Sequence, residues 1–432
     1  MALHRVVFAV LVVAVSACGG GTRTEPVSDE PDLDSIVREA IAAHQAGEYE
    51  RATELSLQAE AILPNHPRLL FNTACAMALA GENEPALDRL ERIAKMQFAV
   101  DLASSPSMEP LRGDPRFDSV LQSMAAITEP LEKSSVEFTV PDSTFLVEGV
   151  AHDPTTGDLL LSSLYQRRIA RVTPDGEMAP FNEPSDDLWS MLGMVVDAGN
   201  GVVWSITVGS PRMLGGAPGT PLRSALVRFS LADGSENGRF EPPANVEGPA
   251  LDSLAIGNDG TVYVSDSGAG AIHHLALNGT QLEVMVPPGT FLSTQGLELS
   301  ADGSTLYAAD YGRGVAAIDV ETGDVRFLEH DGPCLLGIDG LERHGNDLIA
   351  IQNGIQPPRV VRIVLDADGL GIDRVETLER AHHLYREPTL GTVVGDDLIY
   401  VAASQWQSFD AEGKLLVDQL VEPTILRLPL VD

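Results

Sequence analysis

From about residue 136 onward, short apolar runs alternate with turns rich in Gly, Asp and Asn. Six segments repeat one outline, among them "EGVAHDPTTGDLLLSS" from 148, "DSLAIGNDGTVYVSD" from 252 and "DGLERHGNDLIAIQN" from 339. Each predicts two strands joined by a tight turn, because Asn, Asp and Gly reach the left-handed backbone conformations that such hairpins need. A third apolar run follows most pairs, as in "ALVRFSL" and "RVVRIVL". The segments start at 148, 192, 252, 295, 339 and 389, spacings of 44, 60, 43, 44 and 50 residues, the length of a propeller blade. The last unit supplies three strands ending in "TILRLPL", and "VEFTV" at 136–140 would add its outer strand. Closure of this kind removes the open sheet edges that invite aggregation. Six copies in phase argue against a β-sandwich and for an all-β six-bladed propeller over 136–432.

The N-terminal third follows a different period. "AGEYERA" at 46–52 returns as "AGENEPA" at 80–86, 34 residues later, with Gly47 matching Gly81 and Ala52 matching Ala86. This period resembles that of tetratricopeptide repeats, in which small residues let paired helices pack closely. "SMEPLRGDPRFDSVLQSM" resembles the closing helix of such arrays. The expected fold class is therefore α+β multidomain: all-α tetratricopeptide-like helical hairpins at 33–128, then the propeller. The resemblance implies contact with a protein partner as the task of the helices.

Residues 1–17 read as a lipoprotein signal peptide. One Arg precedes the apolar run "VVFAVLVVAVSA", which is short for a membrane span. Val15-Ser16-Ala17-Cys18 resembles a bacterial lipobox, which implies lipidation at Cys18. Gly19, in place of Asp, points to outer-membrane sorting and a location in the cell envelope on the periplasmic side. Residues 18–32, rich in Gly, Pro and acids, read as a flexible tether. The chain carries 63 acidic against 28 basic residues, which speaks against nucleic acid as a partner and leaves the acyl chain as the membrane contact. Cys75 and Cys334 could pair in an oxidising periplasm, but they fall in different predicted domains, which favours two buried free thiols.

In a propeller the innermost strands converge on the axis, so six starting positions share one channel mouth: Glu148, Leu192, Asp252, Gln295, Asp339 and Thr389. Oxygen donors gathered there would repel one another or stay unsatisfied without a cation or water, and hard oxygen ligands suit calcium or magnesium. Glu148-Gly149 and Asp339-Gly340 resemble the metal-binding blade starts of the gluconolactonase and regucalcin propellers, and Asn353-Gly354 resembles an Asn-Gly that follows the Asp in that family. The resemblance implies a divalent metal held by Glu148, Asp252, Gln295 and Asp339. It also implies lactone hydrolysis, with Asp339 as general base or metal ligand. Asp252 and Gln295 stand where that family has Asn, and Ala250 stands where it has a substrate-binding Arg, which counts against a sugar lactone specifically. Long loops at 209–224, 353–359 and 404–422 are expected to overhang the mouth, offering Arg212, Asn353, Gln356 and Trp406 to a small-molecule lactone or carbohydrate-like ligand. The alternative is a non-catalytic propeller that binds a ligand or protein. His273-His274 and His382-His383 are expected to place one ring on each face of a strand and so to hold no metal.

Overall fold

The structure, a computed structural model, describes residues 33–183 and 185–431. The signal peptide, Cys18 and the tether lie outside the described residues. The first described element is α1 (Leu33–Gln45), followed by α2 (Tyr49–Ile62), α3 (Pro67–Ala80) and α4 (Asn83–Lys95). The repeated sequence positions have matching physical roles. Gly47 and Gly81 both take positive φ, 78° and 85°, where the chain leaves a helix, a conformation that costs a residue with a Cβ. Ala52 and Ala86 are fully buried where neighbouring helices touch. A 3₁₀ turn (Pro106–Leu111) and α5 (Pro115–Thr128) complete the segment. Asp114 caps α5 by accepting from Arg116 N at 2.8 Å, and the Arg116 guanidinium spans Glu84, Asp88 and Glu91 of α4.

Six four-stranded antiparallel sheets follow. Blade 1 comprises Val147–His152, Leu159–Ser163, Ile169–Val172 and Met178–Pro180. Blade 2 comprises Ser190–Asp197, Val202–Gly209, Arg223–Ser230 and Glu236–Phe240. Blades 3 and 4 begin at Leu251–Ile256 and Thr294–Leu299, and blade 5 runs from Ile338–His344 through Asp347–Gln352 and Arg359–Leu365 to Ile372–Arg380. Blade 6 joins Gly391–Val394, Asp397–Val401 and Thr424–Pro429 to Ser135–Thr139, which pairs with Thr424–Pro429 as the outer strand. The ring is thus closed by the strand that precedes blade 1. Val147, Leu161 and Ala170 of blade 1 share an apolar cluster with Ile399, Val401 and Ile425 of blade 6, so the seam is packed as well as paired.

The two parts share a core. Helix α3, apolar on nearly all sides, is enclosed by its helical neighbours, and its cluster also takes in Cys334 and Ile355 from the loops of blade 5. Cys75 and Cys334 therefore sit in one core, both buried and both free. Polar contacts reinforce the seam: Cys334 N donates to Met96 O at 2.7 Å and Arg359 Nη1 to Gln97 O at 3.2 Å. The connecting segment is held by Glu379, whose buried carboxylate accepts from Lys133 N and Ser134 N, both at 2.9 Å, and from Tyr400 Oη at 2.5 Å.

Candidate metal centre at the channel mouth

A slip in strand pairing aims the first residue of each blade. In blades 1 to 5 the register of the inner strand shifts at its start, between Val147 and Gly149, Met191 and Met194, Leu251 and Leu254, Thr294 and Leu297, and Ile338 and Gly340. A bulge leaves a residue unpaired and re-aims its side chain. Glu148, Leu192, Asp252, Gln295 and Asp339 all occupy these slips. The residue after them is pressed against the next blade. A Cβ on Gly193 would meet Asp252 O at 2.8 Å, and one on Gly296 would meet Asp339 O at 2.6 Å. The Gly that follows so many blade starts is thus a packing requirement of the ring. Thr389 completes it differently, its Oγ1 donating to Glu148 O at 2.8 Å, which removes this hydroxyl from the mouth.

The carboxylates at the mouth sense one another. Glu148 is buried, its Oε2 accepting from Trp406 Nε1 at 2.8 Å and from Ser404 Oγ. Burial first, and then the charges of Asp339, Asp252 and Glu387, push its pKa well above the ordinary carboxylate range. Asp252 keeps some surface open to the channel yet is enclosed by protein; burial and the charge of Asp339 raise it strongly. Asp339, raised to about 6 chiefly by burial, accepts from Asn353 Nδ2 at 2.5 Å. Asn353 Oδ1 in turn accepts from Tyr311 Oη at 2.8 Å. Gln295 is buried and commits its amide nitrogen to Ser293 Oγ at 3.0 Å, so its carbonyl oxygen is the end left to face a cation.

Sequence reasoning missed Glu387. This residue precedes blade 6 at φ 77°; burial and the charge of Asp339 raise it to about 7, against the backbone amides of Trp406 and Gln407, which act to lower it. The missing signal was positional: blade 6 turns Thr389 to the backbone and brings its acid from two residues earlier. Tyr311, following the end of a blade 4 strand, was missed for the same reason.

The rim assembles from distant loops. Arg212 lies over the rings of Trp406 and Phe409, at 5.7 and 6.0 Å, and its charge lowers the pKa of Glu387. Loops 209–224 and 404–422 therefore meet beside Glu148. The third loop behaves differently: Ile355 is drawn into the helical core, while Gln356 is exposed. Ala250 is buried with its N–H on Asp266 Oδ1 at 2.8 Å. Met194, Leu254, Leu297 and Leu341 line a small cavity together with Glu342, whose pKa burial and then the charge of Glu298 raise strongly.

The histidine pairs divide. His273 and His274 point to opposite faces as expected, His273 bonding Asp266 at 3.0 Å in the core. His382 is buried and His383 exposed, as expected of such a pair, but not for the expected reason of a strand's alternating faces. These residues lie beyond the strand Ile372–Arg380, after Ala381 at φ 50°, and their rings stack with centroids 4.7 Å apart. With Glu132 they form a set whose ligand atoms all lie within 4.8 Å of one another, the one three-residue set of His, Cys, Asp and Glu that meets this distance among the described residues. The mouth carboxylates are spread more widely.

No family model matches the chain, and no curated protein matches it. Among solved structures, a gluconolactonase from Xanthomonas campestris is 17% identical over 70% of this chain and 97% of its own, with a TM-score of 0.46. A calcium-binding regucalcin from Agrobacterium tumefaciens is 16% identical over 69% and 94%, with a TM-score of 0.47. A virginiamycin B lyase from Staphylococcus aureus is 16% identical over 68% and 83%, with a TM-score of 0.46. The three proteins differ in activity, and likeness at this level concerns the fold alone.

Proposed function

We propose that this protein is a lipid-anchored β-propeller of the bacterial cell envelope whose channel mouth binds a calcium-like divalent cation and hydrolyses lactones. The observation that carries the reading is the meeting of Glu148, Asp252, Asp339 and Glu387 at one mouth, each within reach of its neighbours' charge. Like charges so placed oppose one another, and a divalent cation would offset them. An all-oxygen donor set suits calcium or magnesium rather than zinc or copper.

In this reading Glu148, Asp252, Asp339 and the Gln295 carbonyl would hold the ion, the wide spacing of the carboxylates being bridged in part by water ligands. When bound, the ion would polarise the lactone carbonyl and acidify a water molecule. The protein's own groups do the rest. Trp406 and Ser404 hold Glu148 in place, and Asn353, itself held by Tyr311, fixes the Asp339 carboxylate. Asp339 or Glu387 accepts the proton of the attacking water as the new C–O bond forms. The ring C–O bond then breaks, and the released alkoxide takes up a proton. Trp406 and Arg212 offer an aromatic and cationic wall to the ligand.

A second reading, a ligand-binding propeller without turnover whose helices recruit a protein, is favoured by the buried Ala250, which offers no polar group to a substrate. Thermal melting in a calcium titration tests what both readings share when they include the ion; no shift with any divalent ion removes the metal. Turnover of a lactone panel, lost in Asp339→Ala and kept in Asp366→Ala, selects the hydrolase; calcium binding without turnover selects the binding protein.

A further inference from the structure

We infer that the helical segment is a wall of the ligand site, and that its Arg68 selects ligands carrying an anionic group, such as a carboxylate, beside the metal-binding oxygens. This inference rests on the metal-dependent mouth just proposed and adds a ligand class to it.

Three observations lead there. First, the helices are fixed to the mouth side of blade 5. Ile355, two residues after Asn353, is buried in the same cluster as Leu70, Phe71 and Ala74 of α3. Second, Arg68, in the first turn of α3, donates from Nη2 to Gly354 O at 3.3 Å, and the Phe98 ring lies 5.7 Å from its guanidinium carbon. Gly354 directly follows Asn353, the side-chain partner of Asp339. It is clamped there, because a Cβ would fall 2.5 Å from Tyr311 Cζ. Third, the Arg68 charge reaches Tyr311, whose hydroxyl orients Asn353. The route from Asp339 through Asn353 to Arg68 thus crosses from propeller to helix within one residue of chain.

The consequence is a division of charge across the mouth. The carboxylates of the inner strands face the axis, while Arg68 on the helical side and Arg212 over Trp406 supply cations at the rim. A neutral polyol would use the ion and leave Arg68 idle. A ligand with a carboxylate one arm's length from its chelating oxygens uses both, and a planar guanidinium held by a carbonyl and a ring presents its remaining N–H groups at little entropic cost. The acids would repel such a ligand in the absence of the ion, so its affinity also depends on calcium.

The test uses a matched pair of probes, D-glucono-1,4-lactone and D-glucaro-1,4-lactone, which differ by a hydroxymethyl against a carboxylate. The preference of the full chain is measured at saturating calcium as the ratio of kcat/KM for the two lactones, or as the ratio of their calorimetric Kd where neither is turned over. The expected result is a preference of about tenfold for the carboxylate lactone, the scale of one charge-assisted contact. Arg68→Gln should bring the ratio close to one, and Arg68→Lys should restore part of it. Arg112→Gln, a surface arginine of the same segment, should leave the ratio as it is. The calcium-dependent melting shift, read on every variant, reports the fold and the ion separately. A ratio near one in the unaltered protein, or a ratio that Arg68→Gln does not change, overturns the inference. A missing calcium shift overturns the metal reading and the inference with it, whereas a calcium shift with a ratio near one overturns the inference alone.

Discussion

At the scale of single residues, the mouth is a set of carboxylates held against their own ionisation. Asp339, raised from 3.8 to about 6, binds its proton more tightly in the folded protein than in the unfolded chain. Its ionisation therefore opposes folding. The penalty is absent below the unfolded pKa, grows as pH rises, and is complete above the folded pKa, at about 3 kcal/mol for a shift of this size. Glu387, raised to about 7, extends the same window upward, and Glu148 and Asp252 act in the same direction. Denaturant titrations without metal should accordingly show stability falling between pH 4 and 7, apart from the titration of the rest of the chain. Asp339→Asn should flatten this fall, making the metal-free variant more stable than the unaltered protein at pH 8. Calcium should stabilise the unaltered protein strongly at pH 8 and weakly at pH 5, since the ion competes with protons for the same oxygens. Among these acids, Glu148, Asp252 and Asp339 were legible from their places in the repeat. Glu387 was not, because its role depends on where the loop before blade 6 folds.

At the scale of elements, the ring of inner strands is set by close approach. Gly296→Ala would place a Cβ 2.6 Å from Asp339 O and 2.7 Å from Leu341 N, both backbone atoms of blade 5 that yield little. Denaturant unfolding should show a loss of about 1–3 kcal/mol or more, as overpacking of this kind costs, together with weaker calcium binding because Asp339 shifts. Gly332→Ala, whose Cβ would meet nothing closer than 3.6 Å, should cost under about 0.5 kcal/mol. The segment joining helices to propeller offers a second test. Glu379→Ala leaves the Lys133 and Ser134 amides without their acceptor, while Tyr400 Oη keeps Tyr385 Oη at 2.9 Å, so a loss of about 1–3 kcal/mol is expected in the same measurement. Strands, hairpin turns and blade order were legible because period-two apolar runs and Gly-Asn-Asp turns are local signals. The register slips were not, since a bulge exists only between two strands.

At the scale of the whole molecule, helices and propeller behave as one body. Their shared core predicts a single calorimetric transition whose van't Hoff and calorimetric enthalpies agree. Ile355→Ala should lower that transition without splitting it, at a cost of about 2–5 kcal/mol. Two separated transitions in the unaltered chain would contradict the shared core. The sequence by itself determined the number of blades, the closing strand, the helical hairpins and which residue types stand at the blade starts, because each is written in a repeat and repeats survive without knowledge of contacts. Tertiary structure alone decided that Thr389 turns away and Glu387 takes its place, that Ile355 leaves the mouth for the helical core, and that His382 and His383 stack. It also decided that α3 brings Arg68 to the mouth. These are meetings between residues far apart in the chain, and no local pattern encodes which distant side chain will fill a given space.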